Sequence, residues 1–452
     1  MTELDLQRIQ GFAVRGYRLP LAGFIFLRID DPARAAAWIS EITTDVLTAA
    51  PWSQKPDSGV NVAFSHAGLA ALQLPSATLA SFPEEFREGM AARASLLGDE
   101  GDSAPVNWEA PLGTHDIHVL VMISAAHQPA LSAHDQRIRD SIERAGGLTI
   151  VYDQLGNVLP ENREHFGYAD GFAQPDIEGA GLPSLPGDGA PLRDGNWRPI
   201  RPGEFILGYP DEENVEPQAP TPDELATNGS FLVYRKLHEN VAAFRAELAR
   251  AAELFPGGEE LLAAKILGRW RDGTPIDLSP ERPDPAIVAD AQRNNAFSYA
   301  TDGDGLRCPI GAHVRRANPR DSLPFEGKLV NRHRLVRRGI PYGDRLPEGA
   351  EDDGKDRGVI FMCLQSSIAR QFEFIQSQWM NRGNAFTLGE DQDVLVGPQD
   401  GPGPQKMTVH GNPPFFVGPL QRVVTVRGGE YFFVPGINGL EFLASVAGST
   451  EA

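Results

Sequence analysis

Three short segments hold the residues best suited to chemistry. The first, FGYADGFAQP from Phe166 to Pro175, sets Asp170 between Gly167 and Gly171. Glycines let the backbone swing close to a ligand while one carboxylate points inward, so Asp170 is a candidate proton-transferring acid; the same Asp-Gly pair is also a common turn. The second, RCPIGAHVRRANPR from Arg307 to Arg320, carries a single histidine, His313, after small residues and ahead of two arginines. A neutral imidazole whose second nitrogen is pinned by an acceptor can act as an axial ligand to iron. The following arginines would suit the carboxylates of a haem, which take bidentate cationic partners. The alternative is a structural or surface histidine. The third, NRHRLVRRGIPYG from Asn331 to Gly343, places four arginines in seven positions. In an acidic chain that clustering points to an anionic ligand or a buried ion network.

Other chemistries find no support. The chain has no Walker A loop, no G-x-G-x-x-G opening a helix, no G-x-S-x-G elbow and no H-E-x-x-H. His115 and His118, three apart on an expected strand, face opposite sides of a sheet and read as structural. Asp302 and Asp304 (DGDG) hint at a calcium loop but lack the later bidentate glutamate, so a turn is expected. Acidic residues outnumber Lys and Arg by 61 to 41, for a net charge of −20. That charge argues against nucleic acid or an anionic membrane as a standing partner. With only two cysteines, Cys308 and Cys363, there is no disulfide framework, and neither lies in C-x-x-C-H, which excludes thioether attachment of a haem. The N-terminal stretch MTELDLQRIQGFAVRG has no basic region followed by an apolar one. The most apolar run, HVLVMISAA from His118, is far shorter than the roughly 20 residues of a membrane span. The expectation is a cytoplasmic protein.

The elements that must position these residues form two sets. Leu19–Ile29 is an apolar run fit for a buried strand. Residues Asp31–Ala49 carry Trp38, Ile39, Ile42, Val46 and Leu47 on one helical face, with Asp31 and Pro32 placed as N-cap and first helical residue. Strands at Gly59–Phe64 and Ile117–Ser124, a helix at Ala130–Ala145 and a strand at Leu148–Tyr152 complete a βαββαβ order, the ferredoxin-like unit. Leu182–Glu224, crowded with Pro, Gly and Asp, reads as a connection. A second set follows: strand Ser230–Lys236, helix Glu239–Phe255, strand Gly358–Leu364, helix Ser366–Trp379 and strand Glu430–Val434. Long insertions occupy Pro256–Asp356, and such insertions in a compact domain are usually functional.

Together the three segments resemble those of the dye-decolourising (DyP-type) haem peroxidases. FGYADGFAQP looks like the family's G-x-x-D-G motif, RCPIGAHVRRANPR its proximal-histidine segment, and LVRRGIPYG the segment carrying its distal arginine. GEFILGYPDE, NGSFLVYRKL and GGEYFFVPG also look like family stretches, so the resemblance covers Asp153 to the C-terminus. The long insertions are similar to those of the larger bacterial and fungal branch. The resemblance implies an α+β fold of two ferredoxin-like units of the dimeric α+β barrel type. Residues 1–200 would bring the distal aspartate loop, and residues 201–452 would hold most of a non-covalent haem b and its iron.

Residue by residue, His313 matches the proximal iron ligand, Asp170 the distal aspartate, and Arg337 the distal arginine, with Arg338 as the competing choice. Asp393 in DQDVLVG matches the acid that bonds the proximal imidazole, with Asp391 as its rival, and Arg316 a propionate partner. Compact members carry an Asn where this chain has Gly339, so apolar residues near Val359 and Phe361 are expected to close the pocket. The implied reaction is one-electron oxidation of phenols and dyes by hydrogen peroxide. Asp170 would shuttle the peroxide proton, while Arg337, which cannot lose its charge, would stabilise the hydroperoxide. A carboxylate base works in mildly acid solution, where a histidine would be protonated, so activity is expected to peak on the acid side of neutral. The rival reading is a haem-binding or haem-delivery protein with incidental peroxidase activity. Trp379, in a stretch resembling the family's Trp-bearing segment, is either a route for electrons to bulky substrates at the surface or a core residue.

Overall fold

The computed structural model describes residues 3–446 apart from 193, 400–404 and 419. Among them, nine strands share one antiparallel sheet built from two βαββαβ units. The first unit consists of β1 (Leu21–Ile29), α1 (Pro32–Thr43), β2 (Ser58–Phe64), β3 (Val119–Ala125), α2 (Gln128–Ala145) and β4 (Leu148–Asn157). The second begins with β5 (Ser230–Glu239) and α3 (Val241–Ala252). It continues through the short β6 (Val336–Arg337) and β7 (Ile340–Tyr342), β8 (Gly358–Gln365), a helical run at Ala369–Glu373 and Ile375–Met380, and β9 (Val424–Val434). In each unit the outer strands are the fourth and second in chain order, and the first and third lie between them. The units join where β9 meets β2, with Phe433 opposite Phe64. At the far edges Gly156 of β4 lies against β7; a Cβ there would sit 2.6 Å from Ile340 Cγ2, so only glycine lets the edges approach this closely.

The two-residue period of the strands sorts the core. Phe24 and Phe26 of β1 point into the barrel with Leu232, Tyr234, Met362 and Phe432, where Phe26 and Tyr234 meet edge to face at 5.1 Å. Ile25 and Leu27 point the other way, onto Trp38 of α1 and Ile138 of α2.

Several boundaries differ from expectation. Asp31 does cap α1, accepting from Arg34 N–H with Pro32 behind it, but the helix ends at Thr43 rather than Ala49. There the chain leaves to pair Val46 with Val60 and Thr48 with Gln10. A second-unit strand expected from no sequence signal is the broken pair β6 and β7, which lies inside the arginine-rich segment. The adjacent Arg337 and Arg338 and the Gly339 that follows interrupt the apolar residues Val336 and Ile340, so no period-two pattern marks a strand. The helix expected at Ser366–Trp379 has the wider π-type turn over Ala369–Glu373 and Ile375–Met380, a form often found beside functional sites. His118 is structural, accepting from Ile29 N–H at 2.9 Å. Asp302 anchors a turn by accepting from Arg307 and Cys308 N–H and pairing with Arg315 at 3.2 Å.

Candidate functional site

The outward face of the second unit's sheet is the floor of a cavity of about 370 Å³. Alternation along β5 and β8 chooses its lining: Leu237 and Glu239, Val359 and Phe361 face the cavity, while Tyr234 of β5 and Ile360 and Met362 of β8, on the opposite face, point into the barrel core. The opposite wall comes from the insertion after α3 and from the π-type helix, through Leu267, Phe297, His313, Ile375 and Met380. This is an ordinary volume for a small-molecule site, apolar with a few convergent polar groups.

His313 opens a short helix, His313–Ala317. Its Nδ1 lies 2.9 Å from Asp393 Oδ2, so the imidazole turns its other edge to the cavity. Asp393 is held rigidly: its Oδ1 accepts from Leu395 and Val396 N–H at 2.9 Å each, and its side chain is 1% exposed. Burial alone would lower the His313 pKa, but the charge and hydrogen bond of Asp393 outweigh it and hold it above its ordinary value. Burial pulls Asp393 upward; the charge and hydrogen bond of His313 prevail and keep it below the usual carboxylate range. Asp391 is engaged elsewhere, by Lys406 and Thr408 N–H, so Asp393 is the imidazole's partner.

Across the cavity stands a second pair. The loop from Asn162 to Asp170 closes on itself, with Asp170 N–H donating to Asn162 O at 3.0 Å. Gly167 and Gly171 sit at φ +97° and +93°, which a side chain would strain. Arg337 Nη1 lies 3.5 Å from Asp170 Oδ1 and its Nη2 donates to Phe172 O at 2.7 Å. Arg337 N–H donates to Gln174 Oε1, which ties β6 to the same loop. Neighbouring Arg338 points to the other side of the strand, where Nε donates to Phe12 O. The structure therefore brings His313, Asp393, Asp170, Arg337 and Phe361 together around one cavity.

Arg316 is not brought to where the sequence reading put it, and Trp379 takes the core position of its two expected readings. Arg316 is fully buried behind the His313–Asp393 pair, donating to the carbonyls of Gly311, Trp379 and Arg382. Its charge helps hold Asp393 ionised, but it does not line the cavity. Helical spacing alone would set Arg316 on the same side as His313; the carbonyls of Gly311, Trp379 and Arg382 draw its guanidinium behind the pair instead. Trp379 is 2% exposed and packs edge-on against His333 at 5.0 Å and Phe374 at 5.4 Å. It is a core tryptophan with no contact to solvent through which a bulky substrate could reach it.

What sequence reasoning missed is a group of buried cations in the cavity wall, Arg269, Arg320 and Arg334. Burial first, and then the neighbouring Arg320, push Arg269 and Arg334 down to about 10. Asp188 opposes this at Arg334 and Arg320, Asp321 and Asp277 also act on Arg320, and Asp170 acts on Arg269, yet burial prevails and all three arginines stay below their ordinary value. Buried guanidinium groups whose charge is this poorly compensated suit an anionic ligand. The arginine clustering of NRHRLVRRG was the available signal, but it could not separate Arg334, which faces the cavity, from Arg338, which does not.

The donor set fits haem. Among the described residues no group of three or more His, Cys, Asp or Glu side chains is placed to hold a bare metal ion. A lone imidazole backed by a buried carboxylate instead suits a metal that brings its own equatorial ligands, and the buried arginines suit propionate carboxylates.

An α+β barrel that carries such a cavity on the outer face of its second half defines the structural class. Residues 8–159 match the DyP dimeric alpha+beta barrel domain and residues 210–388 the Dyp-type peroxidase C-terminal domain; the chain belongs to the DyP-type peroxidase family. It is 30% identical over 471 residues to the dye-decolorizing peroxidase msp1 of Mycetinis scorodonius, covering 98% of this chain and 88% of that protein. It is 31% identical to the multifunctional dye peroxidase DyP2 of an Amycolatopsis species, over 80% of this chain and 77% of the relative. The solved dye-decolorizing peroxidase in complex with 2,6-dimethoxyphenol superposes with a TM-score of 0.84 at 29% identity, covering 98% and 100% of the two chains. Deferrochelatases of Yersinia share 30% identity with it, over 25% of this chain. Among the described residues no helix is long and apolar enough to cross a membrane.

Proposed function

We propose that this protein is a haem b peroxidase that uses hydrogen peroxide to oxidise phenols and dyes by one electron at a time. The observation that carries the reading is the opposition, across one cavity, of the His313–Asp393 pair and the Asp170–Arg337 pair. His313 would hold the iron non-covalently through its cavity-facing nitrogen, with Asp393 keeping the proton on Nδ1. Arg334 and Arg320 would take the propionates. When bound, the haem supplies the redox centre that accepts two oxidising equivalents from peroxide and passes them to reductants singly.

The protein's own residues manage protons and charge. Peroxide entering above the floor formed by Val359 and Phe361 meets Asp170, which can take the proton from one oxygen and return it to the other as they part. Such acid–base work contributes roughly 10²- to 10⁴-fold. Arg337 stays charged throughout and stabilises the negative charge that appears on oxygen, worth about 10²- to 10³-fold for one preorganised donor. Gly339 adds no side chain above the floor, so the two apolar residues exclude water from the reacting atoms.

The proposal extends to organisation and setting. Residues 1–200 would contribute the Asp170 loop, and residues 201–452 the remainder of the site. A cytoplasmic protein acting on small molecules fits the net charge of −20 and two buried free cysteines. The test is reconstitution with haem, an absorption spectrum, and peroxide-dependent turnover of 2,6-dimethoxyphenol. A protein that binds haem and shows no turnover would favour haem delivery, the reading that the partial likeness to deferrochelatases supports.

A further inference from the structure

Beside Asp170 the cavity wall carries two carboxyl groups that the reaction described above does not use. Glu239 is the last residue of β5, and Glu164 lies within the loop that ends at Asp170; both face the cavity. Glu164 is tied to the loop it belongs to. Its Oε2 accepts from Phe166 N–H and its Oε1 from Tyr168 N–H, each at 2.7 Å. Glu239 docks onto the next residue, accepting from His165 N–H. Its Oε2 is buried with no hydrogen-bond partner, in a residue only 8% exposed.

No cation is bonded to either group among the described residues. Arg271, whose charge reaches Glu164, is engaged by Glu260 at 3.0 Å. The other titratable groups acting on the pair are Asp170 and the phenols of Tyr168 and Tyr342. Two neighbouring buried carboxyls without a countercharge do not both ionise, and the pair keeps a proton. The hydrogen bonds say where. Two N–H groups stabilise Glu164 as a carboxylate, whereas Glu239 has one and a bare oxygen that suits an O–H. The electrostatics agree: burial, then the charges of Glu164 and Asp170, raise Glu239 well above the usual range. Burial also lifts Glu164, to about 7, against the pull of its two N–H donors.

We propose that Glu239 and Glu164 form a proton store for Asp170, passing a proton from the Glu239 carboxyl by way of Glu164 to the Asp170 carboxylate. In the transfer the Glu239 O–H bond breaks and an O–H bond forms on Glu164; that bond breaks in turn as one forms on Asp170. No electrons move, and Glu239 is reprotonated from solvent. The store lets Asp170 regain a proton when a reductant too large for the cavity gives up its electron elsewhere and leaves its proton behind. Glu164 and Glu239 act through Asp170 and are positioning residues in this scheme, which rests on the reading of Asp170 as the proton shuttle.

The first test uses the cofactor-free protein. Infrared spectra in H₂O and D₂O at neutral pH should show, besides the signal that Glu430 supplies and Glu430→Gln removes, a protonated-carboxyl band that disappears in Glu239→Gln and persists in Glu164→Gln. Glutamine mimics the neutral acid, so Glu239→Gln should fold with an unchanged melting temperature at neutral pH. The second test uses the haem-loaded protein, in which Glu239→Gln should slow turnover of a dye too large for the cavity about tenfold or more at neutral pH, with the loss shrinking in acid. A carboxyl band unaffected by Glu239→Gln overturns the store. A band that is lost while the pH–rate profile stays that of the wild type overturns its service to Asp170. Absence of peroxide turnover in the wild type would sink the functional reading and the relay with it, and the infrared band would still decide whether the shared proton exists.

Discussion

Replacing Asp393 with asparagine tests the proximal half of the site through a single proton. In the native protein one carboxylate oxygen faces His313 Nδ1 at 2.9 Å while the other accepts two backbone N–H groups, from Leu395 and Val396. Asparagine can offer an oxygen to only one side. If the oxygen faced His313, the amide NH₂ would point at two buried N–H donors, and each lost bond would cost about 1–3 kcal/mol. If the oxygen kept the two N–H groups, the NH₂ would donate to Nδ1, and only a charge-assisted bond of about 1.5–3 kcal/mol would be exchanged for a neutral one. The second arrangement wins. It moves the imidazole proton from Nδ1 to Nε2, the edge that faces the cavity, and so removes the lone pair on which iron binding depends. Haem affinity should fall about 10- to 100-fold, the usual cost of disturbing such a partner. Nitrogen-15 NMR of the His313 ring in the cofactor-free protein reads the tautomer directly, and a haem titration followed by absorbance reads the affinity. An Asp393→Asn protein with the proton still on Nδ1 and an unchanged affinity would refute the reasoning.

Four further outcomes are expected. His313→Ala should lose stable haem binding, seen as loss of the Soret band after desalting, because among the described residues no other histidine faces the cavity. Asp170→Asn should remove the acid side of the peroxide pH–rate profile; a wild-type rate across the range would transfer the main role to Arg337. Arg334→Ala should weaken haem binding, while Arg316→Ala should lower the melting temperature of the cofactor-free protein more than it changes haem affinity, and the opposite pattern would return the propionate role to Arg316. Glu430 is buried, accepts only N–H donors from Met90 and Tyr431, and burial raises it from 4.5 to about 7. The folded state therefore binds the proton more tightly, so stability is lost as pH rises from the unfolded pKa through about 7; Glu430→Gln should gain up to about 3 kcal/mol at alkaline pH and nothing in acid, read by denaturant unfolding.

The first unit was legible because its signals are local. An apolar run, a capped helix and turn residues each act within a few positions, and β1, α1, β3 and α2 stand close to where they were expected. The end of α1 was not legible, since Val46 and Leu47 fit the helical face as well as they fit the pairing with Val60 that claims them. The second unit was harder because one of its strands is only two short pieces, Val336–Arg337 and Ile340–Tyr342. There the arginine clustering dominates the pattern, and strand pairing with β8 is a long-range fact that no local period announces.

The site divides along the same line. His313, Asp170, Arg337 and Asp393 lie in short segments whose glycines, histidine and acids are unusual in type, so residue chemistry could single them out. Arg316, Arg334 and Trp379 differ from their neighbours only in direction. Arg316 follows Arg315 and faces inward; Arg334 precedes Arg337 by three and faces the cavity; Trp379 ends an amphipathic pattern and is buried by His333 and Phe374. A sequence states which residues carry charge or an oxidisable ring, and the packing decides which surface each one faces. The opposed carboxyls Glu164 and Glu239 make the point most sharply: 75 positions apart, with nothing in either segment to suggest the other, they become chemically interesting only when the barrel places them at one end of the same cavity.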